Sequence, residues 1–164
     1  MSTKNDKAFK YKKTVYGVSI LALLISGFFM TTRLLAQPDE TLNVRLGQSN
    51  DAFALEVADT QLEQARGLMN RDSLDATAGM VFFFPEAASR SFWMKNTRIP
   101  LDMIWLNQGT IVGITKNATP DTGQKTTDLP LYDSPAAIDA VIELNGGAAD
   151  RYGIIVGQHV QFDR

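Results

Sequence analysis

Many short apolar stretches cut by turn signals, only two brief helical patterns, and no regular alternation of helix with strand predict an α+β, mainly β domain. The expected architecture is a curved antiparallel sheet or barrel-like domain with two short helices, behind one N-terminal hydrophobic helix. A chain of 164 residues has room for one such domain and an accessory segment. The boundaries fall at 1–36 for a signal or anchor segment, 37–41 for a linker, and 42–164 for the domain.

Lys4, Lys7, Lys10, Lys12 and Lys13 precede Val15–Met30, VYGVSILALLISGFFM, sixteen residues without a charge. That length lies between a signal-peptide core and a full membrane span, and the cationic flank stays in the cytoplasm in both cases. The expected partner is therefore the cytoplasmic membrane, through residues 15–30. The domain is expected on its extracytoplasmic, periplasmic side, anchored or secreted. Leu34-Leu35-Ala36 has a small residue at the cut position but a large Leu34 where a small one is needed. This favours an anchor left in place over a cleaved leader.

Leu42, Val44 and Leu46 alternate with polar residues, as do Phe53, Leu55 and Val57, which predicts two strands in a hairpin. Thr60-Gln61-Leu62-Glu63 is a capping box, and Leu62, Ala65 and Met69 at helical spacing place a helix over 60–69. Gly79–Phe84 is a continuous apolar run stopped by Pro85, the pattern of a strand buried on both faces. Period-two alternation from Arg90 sets Trp93 and Lys95 on one face and Phe92, Met94 and Asn96 on the other. Leu101–Leu106 and Thr110–Lys116 are strands joined by Asn107-Gln108-Gly109, and 118–135 is a long Thr, Asp, Gly and Pro segment. Ala140–Leu144 is a strand ended by Asn145-Gly146-Gly147, and a helical turn follows over 148–152. Ile154–Val156 and Val160–Phe162 close the chain as short strands.

The leader holds six Lys or Arg and one acid, which leaves the domain ten basic and seventeen acidic residues and a charge of -7. That balance repels phosphate backbones, so nucleic acid is not an expected partner. The absence of cysteine excludes disulfides, thiol nucleophiles and Cys-ligated zinc. His159 is the lone histidine and alternates onto the polar face of a terminal strand, so no catalytic residue, metal or cofactor is expected.

Trp93 and Lys95 offer a ring for stacking with a donor beside it, and Asn96 and Asp102 would add hydrogen bonds. The plainer alternative makes Trp93 core, with Lys95 laid over it and Asn96 and Asp102 serving the turn around Pro100. Asp102 shares its face with Ile104 and Leu106, where a carboxylate needs Lys95, Arg98, Arg71 or backbone donors as partner. Arg66, Arg71 and Arg90 could gather into an anion-binding group, although solvated surface explains them as well.

Arg66–Arg71, Gly79–Phe82, Phe92–Thr97, Ile99–Asp102, Val141–Leu144 and Tyr152–Ile154 together resemble the DUF192 family of small uncharacterised bacterial and archaeal domains. The resemblance runs from Leu42 to Phe162 and implies a compact β-rich domain, often behind an export leader, with no established reaction. Asp121 after Pro120 stands where family members often carry cysteine, and Gly157-Gln158 where they often carry Gly-Asp.

The expected function is a non-enzymatic binding module for a saccharide or other small polar ligand, through Trp93, Lys95, Asn96, Asp102 and Arg71 and gated by 118–135. A hydrolase or lyase using Asp102 as acid or base is the first alternative, and an envelope scaffold or interaction protein the second.

Overall fold

The computed structural model describes residues 40–162 apart from positions 49, 122 and 124. The expected signal or anchor segment 1–36, the first part of the linker and the last two residues lie outside the described residues. The chain runs through β1 (Thr41–Arg45), β2 (Ala52–Ala58), α1 (Gln61–Arg66), β3 (Ala78–Ala88), β4 (Ser91–Trp93), β5 (Leu101–Asn107) and β6 (Thr110–Ala118). A 3-10 turn at Thr126–Asp128 then leads into β7 (Leu131–Asp133), β8 (Ile138–Asn145) and α2 (Ala148–Arg151).

Six strands form one sheet in the order β1-β2-β3-β8-β5-β6, and β4 pairs with β7 in a separate two-stranded ribbon. The mainly β character and the two short helices are as expected. The sheet itself is open, with β1 and β6 at its edges, and it is mixed because β2 and β3 run parallel. The crossover that parallel pairing requires is α1 together with residues 67–77.

The capping box at the start of α1 forms as the sequence dictates. Thr60 Oγ1 accepts from the Glu63 N–H, and the Glu63 carboxylate accepts from the Thr60 N–H at 3.0 Å. Hydrogen bonds from the Thr60 side chain and backbone hold the Glu63 carboxyl below its usual range. The helix ends at Arg66, earlier than expected, because Gly67 turns to φ 47°.

Strand β3 also departs from expectation, since it passes through Pro85. Its pairing with β8 jumps from Phe83↔Ala140 to Ala88↔Ile138, so the proline occupies an unpaired gap where its missing N–H costs no ladder bond. The expected strands at 154–156 and 160–162 are replaced by turns and a single bridge, Thr110↔His159. Ile154 and Val160 act instead as apolar plugs.

The central strands β3, β8 and β5 bury both faces of the sheet. On one face Val81, Ile104, Leu106, Ile142 and Leu144 pack with the inner side of β1 and β2 and with Ala148, Ile154 and Val160. On the other, Met80, Phe82, Met103, Trp105 and Val141 pack against Leu68, Met94 and Ile99. Burial of each large side chain contributes about 1.5–3 kcal/mol, so both faces are needed to hold a disulfide-free domain.

Candidate functional site

Strands β5 and β8 each contribute one carboxyl residue to this core. In their antiparallel register Met103 pairs with Glu143, while Asp102 pairs with Leu144. Pleating therefore turns Asp102 toward the face of Ile104 and Leu106, and Glu143 toward the face of Met80 and Met103.

Asp102 is completely buried. Its Oδ1 accepts from the backbone N–H of Asn117 at 2.8 Å and of Gly147 at 3.0 Å, and its Oδ2 accepts from the Ala149 N–H at 2.8 Å. Of the partners weighed from the sequence, backbone donors are the ones found. The carboxylate ties the β6 end and the start of α2 to β5, and it is not among the residues that line the cleft described below. An acid, base or ligand-binding role for Asp102 is thereby replaced by an architectural one.

Glu143 is 5% exposed and forms no hydrogen bond or ion pair with another described residue. Burial among methionine and phenylalanine side chains pushes its carboxyl up to about 8. It lines the bottom of a cleft of about 480 Å³, within the range of small-molecule sites. Phe82 and Phe84 from β3 and Phe92 from β4 supply apolar walls, with Phe82 and Phe92 edge-to-face at 5.3 Å. Gly67 borders the carboxyl so closely that a Cβ there would stand 3.9 Å from Glu143 Oε2. Gln64 fixes the end of α1 over β3 by donating to the Phe83 carbonyl at 2.8 Å.

Three cations occupy the same cleft. Lys95 Nζ stands 5.2 Å from the centre of the Trp93 ring, although the expected strand alternation does not set it there: β4 ends at Trp93 and Lys95 lies in the turn that follows. Trp93 is 44% exposed at the cleft mouth, so it is not core. The Arg90 guanidinium lies 3.6 Å over the Phe84 ring and donates to the Glu86 carbonyl, while its buried Nε has no partner. Arg66 reaches the cleft from the last turn of α1.

The remaining predicted residues lie elsewhere. Arg71 is held in a two-pronged pair with Glu56, at 2.5 and 2.6 Å, and that hydrogen bonding raises its guanidinium pKa. It does not join Arg66 and Arg90. Asn96 serves a turn: at φ 53° its N–H donates to Asp121 and its carbonyl accepts from Asn70. Backbone donation from Asn96, and then from Gly123, holds the Asp121 carboxyl below its usual range. No described residue of the expected gate at 118–135 lines the cleft, and β7 instead braces β4. Among the described residues no group of three or more His, Asp or Glu side chains is placed to hold a metal ion.

Glu143 was missed as a site residue although the signal used for Asp102, a carboxylate in an otherwise apolar strand, is present in Val141-Ile142-Glu143-Leu144. Thr97, buried at the same cleft, carries no such signal.

A family model for DUF192, described as an uncharacterized ACR, matches residues 43–162. No curated protein matches the chain. A protein from Sinorhizobium meliloti 1021, described as a candidate transcription regulator, is 31% identical with a TM-score of 0.67, over 75% of this chain and 94% of its own. A protein of unknown function from Novosphingobium aromaticivorans DSM 12444 is 35% identical with a TM-score of 0.64, over 74% of this chain and 83% of its own.

Proposed function

The chain belongs to the DUF192 family, and from the contents of its cleft we propose that it is a non-enzymatic binding module for a small polar ligand of saccharide type. The observation that carries this reading is Trp93 beside Lys95 at the mouth of a cleft whose bottom holds the Glu143 carboxyl, which has no partner among the described residues. A sugar presents an apolar ring face and a polar edge. An exposed indole takes the face, and Lys95, Thr97 and Glu143 offer hydrogen-bonding groups to the edge. The Asp102 hydrolase or lyase has no support in this geometry, since the carboxylate is sealed and committed to three backbone donors. The uncharged run 15–30 behind five lysines supports a place outside the cytoplasmic membrane, held there by an N-terminal anchor.

Saturation-transfer NMR on the full chain in detergent micelles, against a panel of neutral and charged monosaccharides, tests the binding reading. Transfer to at least one sugar is expected, with Trp93→Ala removing it. A ligand profile unchanged by Trp93→Ala would overturn the site. A reporter enzyme active only outside the cytoplasm, fused after Arg164, is expected to be active, and an inactive fusion would overturn the location.

A further inference from the structure

The charge of the cleft opposes the charge of the domain around it. Residues 37–164 carry -7, yet the charged side chains lining the cleft are Arg66, Arg90, Lys95 and the single carboxyl of Glu143. The ion pairs among the described residues use Arg71, Arg98 and Lys116, so none of the three cleft cations is neutralised by one. Lys95 also feels the Asp121 carboxylate across the turn, a group that does not line the cleft and accepts from the N–H groups of Asn96 and Gly123. Three cations without an ion pair among the described residues, gathered in a concave, partly apolar site, attract an anion that a net-acidic surface would otherwise repel.

We propose that the cleft selects an acidic saccharide, a sugar ring bearing a carboxylate or phosphate. Its anionic group meets Arg66, Arg90 and Lys95, its ring face lies on Trp93, and the Glu143 carboxyl donates a hydrogen bond to a ring substituent at the cleft floor. The proposal rests on the binding-module reading above and adds the charge of the ligand and the role of Glu143.

Glu143 suits a donor's part because of what surrounds it. Strands β3 and β5 set Met80 and Met103 beside it, and Gly67 and Phe82 border it along the cleft wall. The charged groups facing the same space are Arg66 from α1 and Arg90 and Lys95 from the segments flanking β4. Desolvation alone sets the proton's hold, which keeps the carboxyl neutral at pH 7. A neutral carboxyl has an O–H to donate and does not repel an anion. Once ionised, it loses both advantages.

Isothermal titration and saturation-transfer NMR on the full chain in detergent micelles, with D-glucuronate, glucose 6-phosphate, methyl glucuronate and D-glucose, test the proposal. At pH 7 one or both acidic sugars bind at least about tenfold tighter than the neutral ones, and their ranking separates a carboxylate from a phosphate ligand. From pH 7 to pH 9 the affinity for the acidic sugar falls about tenfold, following the fraction of neutral Glu143. Glu143→Gln keeps a neutral side chain and flattens that pH dependence, and Lys95→Met lowers the preference for acidic over neutral sugars. Equal binding of all four probes overturns the charge selection and leaves the saccharide reading standing. Binding of none overturns both. A Glu143→Gln variant that unfolds with the wild-type midpoint at pH 7 and keeps the full pH dependence overturns the assignment to Glu143.

Discussion

Asp102 and Glu143 stand on neighbouring strands and face opposite sides of one sheet, and the chain has treated them differently. Asp102 enters the face closed by β1, β2 and the C-terminal segment, where three backbone N–H groups converge on its oxygens. Two of those donors lie at the start of α2, where a helix leaves N–H groups without partners. Glu143 enters the other face, where a cleft interrupts the packing and no donor among the described residues reaches it. Depth of burial is nearly the same for the two, so it does not separate architecture from site. The supply of partners does: a carboxylate given its bonds by the fold is structural, and a carboxyl left without them is available to a ligand.

The harshest way to break this contrast is to remove the structural member. Asp102→Ala leaves the N–H groups of Asn117, Gly147 and Ala149 unpaired in a closed core, and it is expected to cost about 3–5 kcal/mol by urea unfolding. Asp102→Asn keeps one acceptor oxygen and should cost less. A loss under about 1 kcal/mol for Asp102→Ala would mean that the three bonds do not hold the fold.

A change of pH tests the other member. Glu143 binds its proton far more tightly in the folded chain, at about 8, than at the ordinary 4.5. Between those values the folded state holds more protons than the unfolded one, so stability falls as pH rises. The contribution is fully present below pH 4.5 and is lost as pH passes about 8. Chemical unfolding at pH 5 and pH 9 should show a loss on the order of a few kcal/mol in the wild type. Glu143→Gln should remove most of that loss and be the more stable protein at pH 9. If both proteins show the same pH slope, the Glu143 carboxyl is better solvated than its setting implies.

The two carboxyls also mark how far the sequence could be read. The apolar neighbours Ile104 and Leu106 placed Asp102 on a buried face and required a partner for it. Its donors lie 15, 45 and 47 residues away, beyond any local pattern. Local chemistry was legible where it sufficed: the Thr60–Glu63 cap and the β5–β6 hairpin are as expected, whereas Lys95 comes near Trp93 from a turn and not from the expected strand face. Pairings set by packing at a distance were not. The parallel β2–β3 contact follows from how the crossover folds back, and Pro85 is tolerated through a break in pairing that only the β8 strand reveals. Glu143 was legible in principle, since Val141-Ile142-Glu143-Leu144 carries a charge in an apolar run. Its significance appeared only once the cleft beside it was known.

A smaller effect on stability, and a large one on binding, is expected from the cleft mouth. Trp93→Ala removes a ring that is 44% exposed and should cost no more than about 1 kcal/mol in urea unfolding. The same substitution should abolish saccharide binding in a titration. If it instead destabilises the domain as strongly as Asp102→Ala, the indole is structural and the contrast between the two faces collapses.

The smallest expected effect comes from a third carboxylate, Glu56, whose partner is a side chain. Arg71 and Glu56 form a two-pronged ion pair, with side chains 30% and 25% exposed. Solvent screening limits such a pair, while its geometry and partial shielding lift it above an ordinary surface contact. Arg71→Met should therefore cost about 1 kcal/mol or less. Because Arg71 does not line the cleft, saccharide affinity should stay within about twofold of wild type, in contrast to Lys95→Met. Glu56 would then lie between the two buried carboxyls: partnered like Asp102, yet near enough to water that losing the partner is tolerated. A loss of binding in Arg71→Met would instead couple the ion pair to the cleft and return Arg71 to the cation group from which the structure has separated it.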